Sequence, residues 1–258
     1  NHHEYIIQKV NRTYAGIYSC TANNSVVGPQ DEMKATLELV VQYAPDVLVD
    51  YSGSSLTNST VLLTCIAFGE PSQYIFHEWV HWVGETEIRR LNGENTANTS
   101  ILILPNISTE DMGTYVCTVD NSITGRNGKI KQTGYTDIFV RGTPFIENKN
   151  SIFIGMINKS ARIEIPFYSN PSSTTVKFYK GANSVEVANT SDTLLVLSSF
   201  LNTFTFYGTE VLLNGQIAVL HFRTVKTTDY GEYTALLFND IGSTAQRIVF
   251  SSGEPETP

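Results

Sequence analysis

The side chains in this sequence that could do chemistry are few and scattered. His77, Glu78 and His81 are the densest set of potential metal ligands. On an extended strand His77 and His81 share a face, yet four residues of strand span about 13 Å, too far for one ion. We therefore read them as solvated strand side chains beside Trp79. His2 and His3 read as a loop fragment and not as a ligand pair. No Gly-rich phosphate loop, pair of catalytic carboxylates or Ser-His-Asp order stands out, so neither an enzyme nor a bound cofactor is expected. Asp111 and Asp229 suit a backbone amide or an Arg as partner better than they suit general-base work.

Two kinds of covalent chemistry remain. Seven N-glycosylation acceptor triplets begin at Asn11, Asn23, Asn58, Asn98, Asn106, Asn158 and Asn189. Asn106, beside an apolar strand pattern, is the one most expected to be silent. The cysteines are Cys20, Cys65 and Cys117, an odd number, and a free reactive thiol is one reading of the odd one. Acceptor triplets together with cysteines favour a secreted or cell-surface location.

The composition narrows the class further. A chain of 258 residues with formal charge -8 carries no clustered Lys and Arg, which excludes a nucleic-acid footprint. Its apolar residues come in short runs, far below the roughly 20 needed to span a bilayer, so no membrane contact is expected from this segment. No signal peptide is visible at the start, Asn1-His2-His3-Glu4. Trp79, Tyr74 and Phe76 read either as binding anchors or as filler at one end of a core.

The elements that carry these residues repeat. Asp111, Gly113, Tyr115 and Cys117 alternate with variable residues; Tyr14, Gly16, Tyr18 and Cys20 repeat the pattern, and so do Asp229, Gly231, Tyr233 and Ala235. Apolar residues precede each copy at matching offsets: Tyr5, Ile7 and Val10; Leu102, Leu104 and Ile107; Leu220, Phe222 and Val225. Their phasing predicts a strand with alternate residues in a sandwich core. Upstream, Val61, Leu63, Cys65 and Ala67 alternate, and a shift of one hundred residues lays Ile163, Ile165 and Phe167 on Leu63, Cys65 and Ala67.

Asp-x-Gly-x-Tyr-x-Cys resembles the turn into strand F of the immunoglobulin superfamily, and the threefold repeat extends that resemblance over nearly the whole chain. It implies an all-β fold of tandem immunoglobulin-like β-sandwiches. It also implies a disulfide between Cys65 and Cys117, tyrosine corners at Tyr18, Tyr115 and Tyr233, and a strand-C tryptophan against the disulfide. Of the two candidates we choose Trp82, sharing a face with Val80, and leave Trp79 partly exposed. Cys20 has no earlier cysteine to pair with and is read as unpaired through truncation, its partner lying upstream.

The expected domains are residues 1–42, the last strands (E, F and G) of a truncated copy; 45–141, a copy with the disulfide; 144–252, a copy without it; and a tail, 253–258. Tyr43-Ala44-Pro45, similar to junctions in nephrin-like and nectin-like surface proteins, and Arg141-Gly142-Thr143-Pro144 are expected as linkers. In the third copy Ile165 and Ala235 replace both cysteines as an apolar plug, and Phe178 stands where Trp82 does. A bridge there would contribute about 4 kcal/mol, so the third copy is expected to be thermally weaker than the second. Asn127-Gly128 is a predicted hairpin turn and Asn214-Gly215 a predicted turn, with room for extra strands between residues 183 and 216.

The resemblance implies an extracellular fragment of a surface adhesion or recognition protein that binds a protein partner. That partner is a second copy of itself or another member of the superfamily. Three alternatives stay open: the ectodomain of a kinase- or phosphatase-type receptor, a secreted immune recognition protein, and an intracellular muscle-type array.

Overall fold

Alternation of apolar and polar residues translates directly into strands whose alternate side chains enter a core. The computed structural model describes residues 3–23, 32–147 and 151–252. Among them the regular structure is β apart from three single-turn 3-10 helices, at Arg12–Tyr14, Thr109–Asp111 and Thr227–Asp229. Each turn feeds one copy of the repeated motif.

The first copy is a hairpin of β1 (Gly16–Asn23) and β2 (Glu32–Leu39), paired antiparallel from Gly16 opposite Leu39. The strand expected upstream is absent: residues 3–10 form none, and Tyr5 and Val10 are exposed. Among the described residues no second sheet covers this hairpin, which leaves Ile17, Met33 and Leu37 exposed.

The second copy is a two-sheet sandwich. Its strands are β3 (Tyr43–Gly53), β4 (Val61–Glu70), β5 (Ile75–Phe76), β6 (Trp79–Val83), β7 (Thr86–Leu91), β8 (Glu94–Asn95), β9 (Thr99–Leu104), β10 (Gly113–Asp120) and β11 (Gln132–Ile138). One sheet runs β3-β4-β9-β8; the other runs β11-β10-β6-β7, with β5 also on β10. The core between them holds Leu63, Ala67, Trp79, Leu102 and Tyr115, and the Cys65–Cys117 disulfide ties the sheets at a Cα–Cα distance of 6.3 Å. Tyr43-Ala44-Pro45 is not a free linker. It opens β3, where Tyr43 pairs with Glu70 and Pro45 is buried. The proline's missing donor is absorbed by a register shift between Tyr43 and Asp46. Asn121 holds this start by donating from Nδ2 to the Tyr43 and Pro71 carbonyls.

The third copy has β12 (Phe145–Ile146), β13 (Ile152–Ile154), β14 (Ala161–Tyr168), β15 (Thr175–Lys180), β16 (Val185–Glu186), β17 (Thr193–Phe206), β18 (Thr209–Phe222), β19 (Gly231–Phe238) and β20 (Ser243–Ser251). Its sheets run β12-β14-β18-β17 and β13-β20-β19-β15-β16. Ile165, Phe178 and Ala235 lie within 1% of full burial in one cluster with Leu220 and Phe222, so the core closes without a bridge.

Neither predicted turn is a two-residue hairpin of the expected kind. At Asn127-Gly128 only Gly128 has positive φ (74°), and Asn127 instead accepts the Lys129 amide on its side chain. Asn214 and Gly215 lie inside β18, opposite Leu201 and Phe200. Gly215 serves close approach: a Cβ there would sit 2.6 Å from the Phe167 carbonyl oxygen. The β17–β18 turn is Tyr207-Gly208, with φ of 49° and 83°, the two positive values a type I′ turn requires. The hairpin is therefore far longer than the sequence pattern suggested.

Candidate protein-interaction site

The β17–β18 hairpin feeds two cores with its opposite faces. Near its base Leu195, Ala218, Leu220 and Phe222 face the third sandwich. Near its tip Phe204, Phe206, Val211 and Leu213 turn the other way and join Val83 and Ile88 of the second sandwich in a separate apolar cluster. Phe145, just after the second junction, sits 6.0 Å from the Phe204 ring and edge-on to Phe206. The tip therefore braces one domain against the next.

A polar clamp completes the brace. Asp111 ends the 3-10 turn, and its Oδ2 accepts the Ser108 amide at 2.7 Å, capping its own turn. Its Oδ1 takes Arg89 Nη2 from β7 and, at 2.6 Å, the hydroxyl of Tyr207 from the hairpin tip. The Arg89 guanidinium lies 3.7 Å from the centre of the Tyr207 ring, a cation–π contact across the domain boundary. Burial, then the hydrogen bond to the Asp111 carboxylate, pushes the Tyr207 phenol up to about 12. The junction backbone is held as well: Gly142 N donates to Asn170 O, Asn239 Nδ2 donates to Gly142 O, and Asn170 Nδ2 donates to Val140 O.

The motif tyrosine makes the same bond in every copy. Tyr18, Tyr115 and Tyr233 donate their hydroxyls to the carbonyls of Tyr14, Asp111 and Asp229, at 2.9, 3.0 and 2.6 Å. Asp229 matches Asp111 only in part, its Oδ2 accepting the Lys226 amide.

The strand-C tryptophan is Trp79 and not Trp82. Trp79 is fully buried and donates Nε1–H to Ser100 Oγ at 3.0 Å, while Trp82 is half-buried on the outer face of β6. A buried indole needs an acceptor, and Ser100 on β9 supplies it. The same alternation buries His81 completely, against the expectation of a solvated side chain. His81 stacks on Tyr115 with ring centres 4.3 Å apart, and its Nε2 pairs with the Met112 carbonyl, leaving Nδ1 without a partner. Burial pulls its pKa down to about 4. His77 instead pairs with Asp120 at 2.9 Å. Among the described residues no cluster of three His, Cys, Asp or Glu could hold a metal ion.

Cys20 is exposed on β1. Asn11, Asn58, Asn98, Asn106, Asn158 and Asn189 are all exposed, Asn106 included. Asn58, Asn106 and Asn158 take positive φ in turns. The side chain of Asn23 lies outside the described residues.

The comparisons with known proteins agree with this architecture. A family model described as "Immunoglobulin domain" matches residues 45–121. Human hemicentin-1 is 26% identical over 93% of this chain, which spans 4% of that protein. Chicken neural cell adhesion molecule 1 is 26% identical over 99% of the chain, which spans 21% of it. The chain thus covers a small part of these relatives. In fold it superposes on a solved Dpr2 Ig1-Ig2 complex with DIP-Theta Ig1-Ig3, with a TM-score of 0.54 and 21% identity over 94% of this chain and 75% of that one.

Proposed function

We propose that this chain, which belongs to the immunoglobulin superfamily, is an extracellular segment of a cell-surface adhesion or recognition protein that works by protein–protein binding. The observation that carries this reading is the brace between the second and third sandwiches. Serial domains that present binding surfaces at a distance need a fixed mutual orientation, and the Asp111–Tyr207–Arg89 clamp over an apolar cluster provides one. An ordinary junction within a chain resembles a transient interface and leaves its domains mobile. The acceptor asparagines with described side chains are exposed, so sugars attached there would project into solvent, which supports an extracellular reading. Neural cell adhesion molecule 1, named for adhesion, aligns across both junctions, which supports the same reading.

The test is a binding assay. Beads coated with the glycosylated chain are mixed with identical beads and with beads carrying other immunoglobulin-superfamily ectodomains. Specific clustering is expected in at least one mixture. Its complete absence across both would sink the adhesion reading.

A further inference from the structure

We propose that the outer edge of β17 is a docking edge for a second copy of this chain, the two β17 strands pairing antiparallel about Ser199. The inference deepens the adhesion reading and rests on it.

β17 closes one side of its sheet, so one of its edges has no described strand beside it. In an antiparallel pair successive residues turn their amides alternately toward and away from the partner strand. The outward parity is fixed at the start of β17. The Thr193 carbonyl accepts the Thr190 amide, the Thr193 amide donates to Thr190 Oγ1, and the Leu195 amide donates to Asn189 Oδ1, all off the β18 side. Leu197, Ser199 and Leu201 share that parity. No described residue pairs with their outward amides. The loop at residues 189–190 shuts the edge before Leu197, and past Leu201 the strand runs into the interdomain cluster at Phe204 and Phe206. The open window is Leu197 to Leu201, and its centre is Ser199.

Charge selects the occupant. A net-acidic chain repels its own copy over most of its surface, but Thr193–Phe206 contains no charged side chain. Natural edge strands are ordinarily blunted by charge, as β7 is here with Glu87, Arg89 and Arg90. β17 instead exposes Val196 and Phe200 on one face, and Leu197 and Leu201, at 40% and 54%, on the other. A charged partner would find nothing to pair with.

The register is also self-complementary. With the dyad on Ser199, Leu197 falls opposite Leu201 of the second copy and Leu201 opposite its Leu197. All three facing pairs carry outward amides, so each exchanges both of its hydrogen bonds. Leu packs on Leu twice. The contact is small, so the dimer is weak in solution and acts through avidity when many copies are tethered on a surface.

The test uses the full chain with Cys20→Ser, which removes the exposed thiol, in sedimentation equilibrium up to about millimolar concentration. That ceiling is needed for a contact of this size. Concentration-dependent dimerisation is expected. Ser199→Pro removes an outward donor without touching the β18 ladder and is expected to weaken the dimer about tenfold or more, with an unchanged unfolding midpoint. Leu201→Glu should weaken it too. Adding Leu197→Lys to Leu201→Glu should restore it, because the dyad sets those two positions face to face, a rescue that mere misfolding would not produce. A chain monomeric throughout, or a dimer indifferent to these changes, overturns the proposal. Bead clustering that persists unchanged in Ser199→Pro overturns this docking edge while leaving the adhesion reading standing.

Discussion

Removing the Tyr207 hydroxyl tests whether the hairpin tip truly couples two domains. Tyr207→Phe keeps the ring over Arg89 and the apolar cluster beneath, and deletes only the donor to Asp111. A hydrogen bond to a charged group contributes about 1.5–3 kcal/mol when buried. Tyr207 is 44% exposed, so water competes for Asp111 once the hydroxyl is gone, and about 1 kcal/mol is the reasonable loss. That corresponds to about a fivefold change in an opening equilibrium. The assay is native-state hydrogen exchange with residue resolution, read at Ser108. The Ser108 amide donates to the same Asp111 carboxylate yet lies in the other domain, nearly one hundred residues away in sequence. Faster exchange at Ser108, by about that factor, is expected. Unchanged exchange throughout the Thr109–Asp111 turn, with altered exchange only in the hairpin, would refute the coupling. A pH dependence accompanies it. Tyr207 keeps its proton in the folded state up to about 12, whereas an unfolded tyrosine loses it near the usual 10. The clamp's contribution is full below that usual value and is lost as pH rises through 12, in wild type but not in Tyr207→Phe.

Other outcomes follow from the same contacts. Neutral, buried His81 titrates near 4 when folded and near 6.5 when unfolded, so the second domain is fully stable above the unfolded value and loses stability as pH falls toward 4. The loss is on the order of 3 kcal/mol. Thermal unfolding at pH 7 and pH 4.5 should show it, and His81→Phe, which keeps a ring against Tyr115, should flatten it. Replacing Cys65 and Cys117 together by Ala should cost the second domain about 4 kcal/mol by the loop-entropy relation, read from Trp79 fluorescence; a loss under about 1 kcal/mol would deny the bridge its entropic role. Gly215→Ala drives a methyl group toward the Phe167 carbonyl at 2.6 Å and should lower the third domain's unfolding midpoint by several degrees. Mass spectrometry of chain expressed in a glycosylating host should find sugar at Asn58, Asn98, Asn106, Asn158 and Asn189, all exposed.

What the sequence made legible was whatever is written locally and repeated. The tyrosine-corner motif occurs three times with the same internal spacing, so it locates three strand-F turns from the letters alone. Trp79 was missed for a reason that is itself legible. Val80 and Trp82 look like an inward pair, but the repeat already contained the answer. The hundred-residue shift that aligns Ile165 with Cys65 sets Phe178 one residue from Trp79 and four from Trp82. Register agrees, for Phe178 faces Ala235, and Trp79 lies one step beyond the Val80–Val116 pair, opposite Cys117. The hairpin tip was not legible. Phe204, Phe206 and Val211 alternate as any core strand would, and nothing local distinguishes a residue that enters its own domain's core from one that enters its neighbour's. Asn214-Gly215 misled for a related reason: a glycine preceded by asparagine signals positive φ, but a glycine pressed against a carbonyl and a ring looks the same in one dimension.

Asp111 joins the legible part to the illegible part. As a motif residue it is explained by its own turn, where it caps Ser108 and takes Arg89, and a carboxylate satisfied twice needs no distant partner. Tyr207 nevertheless reaches it across the junction, using acceptor capacity that Oδ1 still has. Asp229 holds the corresponding place in the third copy and accepts the Lys226 amide in the same way, but among the described residues no arginine takes the part that Arg89 plays for Asp111. The motif thus supplies a carboxylate in both complete domains, and the clamp exists in only one because it also requires a cation on β7 and a hairpin long enough to reach. Shortening that hairpin by one cross-strand pair at its tip should abolish the coupling while leaving both tyrosine corners and both cores in place.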